Sequence, residues 1–75
     1  MNGRNDWQYL LKIANEDLEK KGFSLRLIED EGGYYSCEVW KDGKFIDIYA
    51  ENYWDDELSE LITDAWNHVC KYLVH

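Results

Sequence analysis

Carboxylates are the residues of this sequence whose types and spacing could do chemistry, and they come in two groups. The first is the run Glu29-Asp30-Glu31, and the second begins with Asp55-Asp56-Glu57 and continues at Glu60 and Asp64. On a helix, Glu57, Glu60 and Asp64 would share one face, with neighbours one turn apart separated by about 5–6 Å. Rows of carboxylates at that spacing can imitate a phosphate backbone. The alternative interpretation is a capped and solvated helix face.

The cysteines and histidines form no known catalytic or metal-binding pattern. Cys37 and Cys70 fit no zinc signature, and neither His68 nor His75 has the partners of a catalytic triad. The calcium-loop, nucleophile-elbow and phosphate-loop motifs are absent, and a glycosidase carboxylate pair needs a cleft that so short a chain cannot build. We therefore expect no catalytic residue, no metal, no cofactor and no enzymatic activity. Both cysteines are predicted in the core and His68 on the polar side of its helix.

Length and charge limit the class of protein. The chain has 75 residues with 16 acidic and 8 basic side chains, a net charge of −8, and 12 aromatic residues. We predict one domain over residues 1–75, because Rossmann and barrel folds need far more chain. The aromatic content separates the sequence from disordered acidic chains.

Partners follow from the same charge. Nucleic acid and anionic membrane would repel the chain, whereas a basic protein surface would attract it. The polar start of the sequence and the lack of an apolar run of about 20 residues favour a cytoplasmic protein with reduced thiols.

Hydrophobic periodicity supplies the elements that must position these residues. Trp7, Leu10, Leu11, Ala14 and Leu18 predict a helix over Asp6 to Lys21, capped by Asn5 or Asp6 and stopped at Gly22. Alternating apolar residues predict strands over Phe23 to Asp30, Tyr34 to Lys41 and Lys44 to Glu51. A wide apolar stripe predicts a second helix over Asp55 to Leu73, whose cap and first-turn charge come from Asp55, Asp56 and Glu57. The fold class is α+β, in the order α-β-β-β-α, with a three-stranded antiparallel sheet and both helices packed on one face.

Turn chemistry predicts the register of the sheet. A two-residue Asp42-Gly43 loop pairs Val39 with Ile46, Cys37 with Ile48 and Tyr35 with Ala50. A three-residue loop from Glu31 to Gly33 pairs Leu27 with Cys37 and Leu25 with Val39, and it places Gly33 where a left-handed residue is needed. The face toward the helices then carries Phe23, Leu25, Leu27, Cys37, Val39, Ile46 and Ile48.

The same register predicts an apolar second face of the sheet. Arg26 would lie in a row with Glu38 and Asp47 and offset their repulsion. Around this row we expect an interface for a protein partner or a second copy of the chain, and the alternative is an ordinary solvated face. Its candidate residues are Tyr34, Glu38, Trp40, Phe45, Asp47 and Tyr49.

Two families share this layout. The element order matches the double-stranded RNA-binding domain, whose second helix opens with lysines that meet phosphate, but Asp55-Asp56-Glu57 stand there in this chain. In size, charge and element order the whole chain resembles the acidic type II-A anti-CRISPR proteins, small phage-encoded inhibitors that occupy the DNA-binding groove of a nuclease as DNA mimics. The resemblance includes no sequence motif.

Two hypotheses about function follow. The first is a non-enzymatic inhibitor that mimics DNA and docks its carboxylates on a basic, nucleic-acid-binding protein surface. The candidate residues for it are Glu29, Asp30, Glu31, Asp55, Asp56, Glu57, Glu60 and Asp64. The alternative is a protein-interaction or homodimerisation module that uses the second face of the sheet.

Overall fold

The fold was obtained as a computed structural model that describes residues 6–74, without the side chains of Asp6, Ala50, Glu51 and Asn52. The predicted order α-β-β-β-α is confirmed, with an antiparallel sheet in strand order β1-β2-β3 and both helices on one face. The predicted cap at Asn5 or Asp6 lies outside the described residues. The elements are α1 (Asp6–Glu19), β1 (Phe23–Glu29), β2 (Tyr35–Lys41), β3 (Lys44–Tyr53), a 3₁₀ turn (Asp55–Glu57), α2 (Leu58–His68) and a π-helical turn (Val69–Leu73).

Helix α1 ends at Glu19, two residues earlier than predicted, and the turn that follows it closes at the predicted glycine, Gly22. The Lys21 N–H donates to the Leu18 carbonyl at 2.8 Å, and the Gly22 N–H donates to the Glu19 carbonyl at 3.1 Å. Gly22 has φ +85°, the left-handed conformation that commonly ends a helix. These bonds tighten the last turn, so the α-helical pattern ends at Glu19.

Both hairpin turns are as predicted. In the first, the Asp30 N–H donates to the Tyr34 carbonyl and Gly33 has φ +82°, so the loop has three residues and Leu27 pairs with Cys37. In the second, Asp42 and Gly43 have φ of 52° and 80°, as a type I′ turn requires.

The predicted register of β3 is wrong beyond Phe45. Val39 pairs with Asp47 and Cys37 with Tyr49, so Ile46 is the extra residue of a β-bulge. A bulge reverses the faces of all the residues that follow it. A second irregularity pairs Tyr35 with Tyr53 instead of Ala50.

The bulge exchanges two isoleucines for two tyrosines at the core. Ile46 and Ile48, which the sequence predicts to be inward, are 44% and 41% exposed. Tyr49 and Tyr53 pack against the core instead, and they bury larger ring surfaces there.

The core lies between the two helices and the inward face of the sheet. Cys37 is fully buried, and burial raises the pKa of its thiol to about 12, while Cys70 is half-buried against the core. The side-chain amide of Asn15 makes two hydrogen bonds with the backbone of Leu25. Its Nδ2 donates to the Leu25 carbonyl and its Oδ1 accepts from the Leu25 N–H, which fixes α1 to β1. The fully or nearly buried side chains are Ala14, Leu18, Phe23, Leu25, Cys37, Val39, Leu58, Leu61, Ile62, Ala65 and Val69.

The second helix covers the predicted range in three pieces. Trp54 and Glu57 occupy the cap positions of the 3₁₀ turn and of α2, and neither makes a side-chain capping bond. Asp55, Asp56 and Glu57 therefore contribute first-turn charge and not the cap that the sequence predicts. At the other end, the Val74 N–H donates to the Val69 carbonyl five residues back, at 2.9 Å.

Candidate functional site

The fold brings the two groups of carboxylates to one end of the molecule. The rings of Tyr34 and Trp54 lie 4.5 Å apart between centroids, and Tyr35 pairs with Tyr53. These contacts hold the first hairpin loop beside the start of the second helix, although more than twenty residues separate them in sequence. We call this region the acidic end, and its residues are Glu29, Asp30, Glu31, Asp55, Asp56 and Glu57.

Asp30 has a structural role within the acidic end that the sequence analysis missed. Its Oδ1 accepts hydrogen bonds from the Gly32 N–H at 2.9 Å and the Tyr34 N–H at 3.0 Å. This Asx-type turn fixes the loop that carries Glu31, which is exposed. The signal in the sequence is an aspartate two residues before a pair of glycines, in Asp30-Glu31-Gly32-Gly33.

The pKa of Tyr35 is raised in part by the negative charge of the acidic end. Burial is the largest cause of its raised pKa, followed by the charge and a hydrogen bond of Glu29 and, more weakly, the charge of Asp55. Carboxylates of both groups therefore act on one phenol, because ionising Tyr35 would add a third negative charge.

An open depression of about 490 Å³ lies at the same end, lined by Trp7, Tyr35, Asp55, Asp56 and Leu58. It combines two carboxylates with aromatic walls. A lysine or arginine side chain fits this chemistry, since its stem can lie on the rings while its charge meets the carboxylates. Trp7, which belongs to the apolar stripe that predicts α1, and Tyr35 both pack against the core as well as lining this depression.

The carboxylates of α2 continue from the acidic end along β3. Tyr53 has a raised pKa, caused first by burial and then by the charges of Asp64, Tyr49, Glu60 and Glu57. Glu60 and Asp64 of α2, and Glu57 at its N-cap, therefore all act on Tyr53, which agrees with the shared side that their spacing predicts. We call these three residues the acidic stripe. Glu60 is exposed, whereas Glu57 and Asp64 are half-buried.

The opposite end of the molecule carries lysines. The Asp42 N–H donates to the Gly22 carbonyl at 2.8 Å, which joins the second hairpin to the end of α1. Lys21 and Lys41 line one depression with Leu73. We call this region the lysine end, and its residues are Lys20, Lys21, Lys41, Lys44 and Lys71.

Several of these lysines have partners. Lys21 lies 3.4 Å from the Asp17 carboxylate, and the ammonium groups of Lys41 and Lys71 lie 5.2 Å and 5.3 Å from the ring centroids of Phe23 and Tyr72. The Lys21–Asp17 contact is the one ion pair among the side chains that the structure describes. The pKa of Asp17 is lowered, mainly because the Trp66 indole N–H donates to it at 2.9 Å.

The sheet face away from the helices differs from the predicted interface at three positions. Ile48 pairs with Glu38 where Asp47 was predicted, so Glu38 and Asp47 do not oppose each other. Tyr49 packs against the core, and Tyr34 contacts Trp54. We call the observed surface the outer face, and its residues are Arg26, Ile28, Glu38, Trp40, Phe45 and Ile48.

Trp40 organises the outer face. The Arg26 guanidinium lies 3.9 Å above its ring centroid, and its indole N–H donates to Glu38 at 3.0 Å. Phe45 meets the Trp40 ring edge-on at 6.1 Å. Ile28, Phe45 and Ile48 are 40%, 48% and 41% exposed, so this face presents apolar surface to solvent.

His68 lines a small depression together with the polar side chains of Asp64, Asn67 and Lys71. The His68 side chain is half-buried between the rings of Tyr49 and Tyr72, at centroid distances of 4.8 Å and 5.2 Å. His75 lies outside the described residues. Among the side chains that the structure describes, which exclude those of Asp6 and Glu51, no group of three His, Cys, Asp or Glu residues is arranged to hold a metal ion.

Comparisons with protein-family models, curated proteins and solved structures found no match for this chain. In the described part of the chain, neither helix has the length and apolar character that crossing a membrane requires. The surfaces of the described structure that suit a partner are the acidic end, the acidic stripe and the outer face.

Proposed function

We propose that this protein is a non-enzymatic inhibitor that docks its acidic end and acidic stripe on a basic, nucleic-acid-binding surface of a protein target. It would act as a DNA mimic and exclude the nucleic acid by occupying its site. The observation that carries the proposal is the gathering of carboxylates from two distant segments at one end, where the described side chains form no ion pair.

Electrostatics favours such a partner. Carboxylates that lie close together repel one another, and a target rich in lysine and arginine relieves that repulsion. Complementary charge also accelerates the encounter, and this contribution decreases as salt is added. The depression beside Asp55 and Asp56 offers aromatic surface for the stem of one target side chain.

The resemblance to type II-A anti-CRISPR proteins supports one class of target. Size, charge and element order agree over the whole chain, and a CRISPR nuclease has the basic DNA-binding groove that the proposal requires. The proposal therefore includes a phage anti-defence role, exercised in the cytoplasm where such nucleases act.

The test is affinity capture followed by competition. The protein is immobilised and exposed to bacterial lysate supplemented with a guide-loaded type II-A nuclease, at low and high salt. We expect retention of a nucleic-acid-binding protein at low salt only, and displacement of labelled DNA from that protein in solution. Retention that is insensitive to salt, or no competition with DNA, would contradict the proposal.

A matched pair of double variants locates the contact. Asp55→Asn with Asp56→Asn removes two charges from the acidic end, and Glu16→Gln with Glu19→Gln removes two exposed charges from α1. We expect the first pair to weaken target binding by about tenfold or more, and the second to have a much smaller effect. Equal losses would show that only net charge matters.

A second candidate is a protein-interaction module that uses the outer face. The exposure of Ile28, Phe45 and Ile48 favours it.

A further inference from the structure

The outer face is apolar and nearly neutral on a strongly acidic protein. Among its described side chains it carries one cation, Arg26, and one anion, Glu38, and both contact Trp40. Around them are three large apolar side chains that are at least 40% exposed. A contiguous exposed apolar surface of this kind is typical of an interface. It is also where two chains of net charge −8 can approach without meeting clustered carboxylates.

We infer that the outer face binds the outer face of a second copy of this chain, forming a two-fold symmetric dimer with the two sheets packed face to face. Sheets that pack in this way bury their facing side chains in a layer about 10 Å thick. A two-fold interface uses the same patch on both copies. Arg26, Glu38 and Ile48 form the row at its middle, and Trp40 and Phe45 lie in the next row toward the lysine end.

The charges of the two ends select the orientation. A two-fold axis parallel to the strands would place the acidic end of one copy against the acidic end of the other. An axis in the interface and perpendicular to the strands places each acidic end beside the lysine end of its partner. The loop of Glu31 then lies near the hairpin of Lys41 and Lys44. Opposite charges attract in this arrangement, so the dimer takes the second axis.

The dimer leaves the helical part of the proposed docking site accessible, whereas the loop of Glu31 lies beside the second copy. Asp55, Asp56 and the acidic stripe belong to the helical layer, on the other side of the sheet from the interface. The inference therefore does not depend on the proposed function. The two can fail separately, because one is measured by self-association and the other by competition with DNA.

Sedimentation equilibrium of the full chain between about 10 µM and 1 mM tests self-association. We expect a monomer–dimer equilibrium that Ile48→Lys weakens by at least about tenfold, because symmetry places the buried lysine on both sides of the interface. Ile46→Lys is the matched control. It has the same residue type, strand and exposure, but it lies at the bulge and outside the outer face. We expect it to change the dissociation constant by less than about twofold.

A second variant of the outer face keeps the test decisive if Ile48→Lys does not fold. Phe45→Glu changes a 48% exposed side chain, and circular dichroism verifies the fold of every variant. A chain that is monomeric at about 1 mM overturns the inference and leaves the outer face to a different protein. A dimer that Ile46→Lys weakens as much as Ile48→Lys overturns the assignment of the interface.

Charge exchange tests the orientation. Glu31→Lys is compared with Glu16→Lys, which makes the same change of net charge on α1. We expect Glu31→Lys to weaken the dimer relative to this control, and Glu31→Lys combined with Lys44→Glu to restore it. A dimer that Glu31→Lys strengthens beyond the control has acidic ends in contact, and that result overturns the proposed arrangement.

Discussion

The acidic end and the lysine end are built from the same parts and differ in how their charges are satisfied. Each has a tight hairpin turn with a left-handed glycine, Gly33 at one end and Gly43 at the other. At the lysine end, Lys21, Lys41 and Lys71 contact a carboxylate or an aromatic ring. At the acidic end, the contacts between segments are aromatic, and carboxylates act together on Tyr35.

Helix polarity explains part of this difference. The second helix begins at the acidic end and α1 stops at the lysine end, so carboxylates lie near a positive helix terminus and Lys20 and Lys21 near a negative one. Helix dipoles do not explain Glu29 and Glu31, which lie in the first hairpin. We conclude that the charge of the acidic end exceeds what the local structure uses, and that this excess is available to a partner.

The largest expected effect on stability comes from a change to the backbone at the lysine end. Gly22→Ala places a methyl group 2.9 Å from Oδ1 of Asp42 at φ +85°. A left-handed conformation costs a residue with a Cβ roughly 1–2 kcal/mol, and moving the exposed Asp42 carboxylate aside adds little to that cost. We expect the free energy of unfolding, measured with urea, to fall by about 2 kcal/mol.

Gly33→Ala and Gly43→Ala are the controls for that prediction. An added Cβ meets nothing within 4 Å at either position, so each should lose about 1–2 kcal/mol from conformation alone. Equal losses of stability in Gly33→Ala and Gly43→Ala would show that the two hairpin turns are equivalent. The two ends of the molecule would then differ in charge and not in the backbone of their turns. A harmless Gly22→Ala would contradict the role of Gly22.

The second prediction concerns the hydrogen bond between Trp66 and Asp17 near the lysine end. Because the folded state lowers the pKa of Asp17, the resulting stability is present above the unfolded pKa and is lost as pH falls through the folded value. Trp66→Phe removes the largest cause of this shift. We expect urea unfolding to show a deficit at about pH 7 that narrows at about pH 2.5.

Lys21→Gln separates the hydrogen bond from the ion pair in that experiment. Lys21 lowers the pKa of Asp17 less than Trp66 does, so the pH-dependent part of its deficit should be smaller. A deficit in Trp66→Phe that is the same at both pH values would mean that packing, and not the carboxylate, is responsible.

The third prediction compares single charges in the two hairpins. Glu31→Gln removes repulsion at the acidic end, whereas Lys44→Gln removes an attractive charge from an acidic protein. We expect the unfolding midpoint to rise by about 1–2 °C in the first variant and to fall by a similar amount in the second. Both shifts should disappear in high salt. Persistence of either shift at high salt would indicate a contact other than charge.

The smallest expected effect is on the titration of Tyr35. Glu29→Gln should lower its raised pKa only in part, because burial contributes more than Glu29 does. Glu31→Gln should leave that pKa unchanged. Tyrosine-selective NMR through alkaline pH measures both, and a complete return to the ordinary value in Glu29→Gln would contradict the dominance of burial.

The sequence predicted the elements and both turns because these depend on neighbouring residues. Gly22, Asp42-Gly43 and the run from Glu31 to Gly33 each specify a backbone conformation that side chains elsewhere do not alter. The register of β3 was not predictable in this way. An alternating pattern at Ile46 and Ile48 suits either face, and the choice depends on which side chains fill the space beneath α2.

The candidate site also has features that the sequence determines and features that only tertiary packing determines. The sequence by itself determined which residues carry charge, the one-turn spacing of the acidic stripe and the net charge of −8. Only the tertiary structure decided that the first hairpin lies beside the start of the second helix, that Tyr49 turns inward, and that Ile48 is exposed on the outer face. The physical reason is that turns and helix caps are local, whereas a bulge and the meeting of distant segments are set by the packing of one small core.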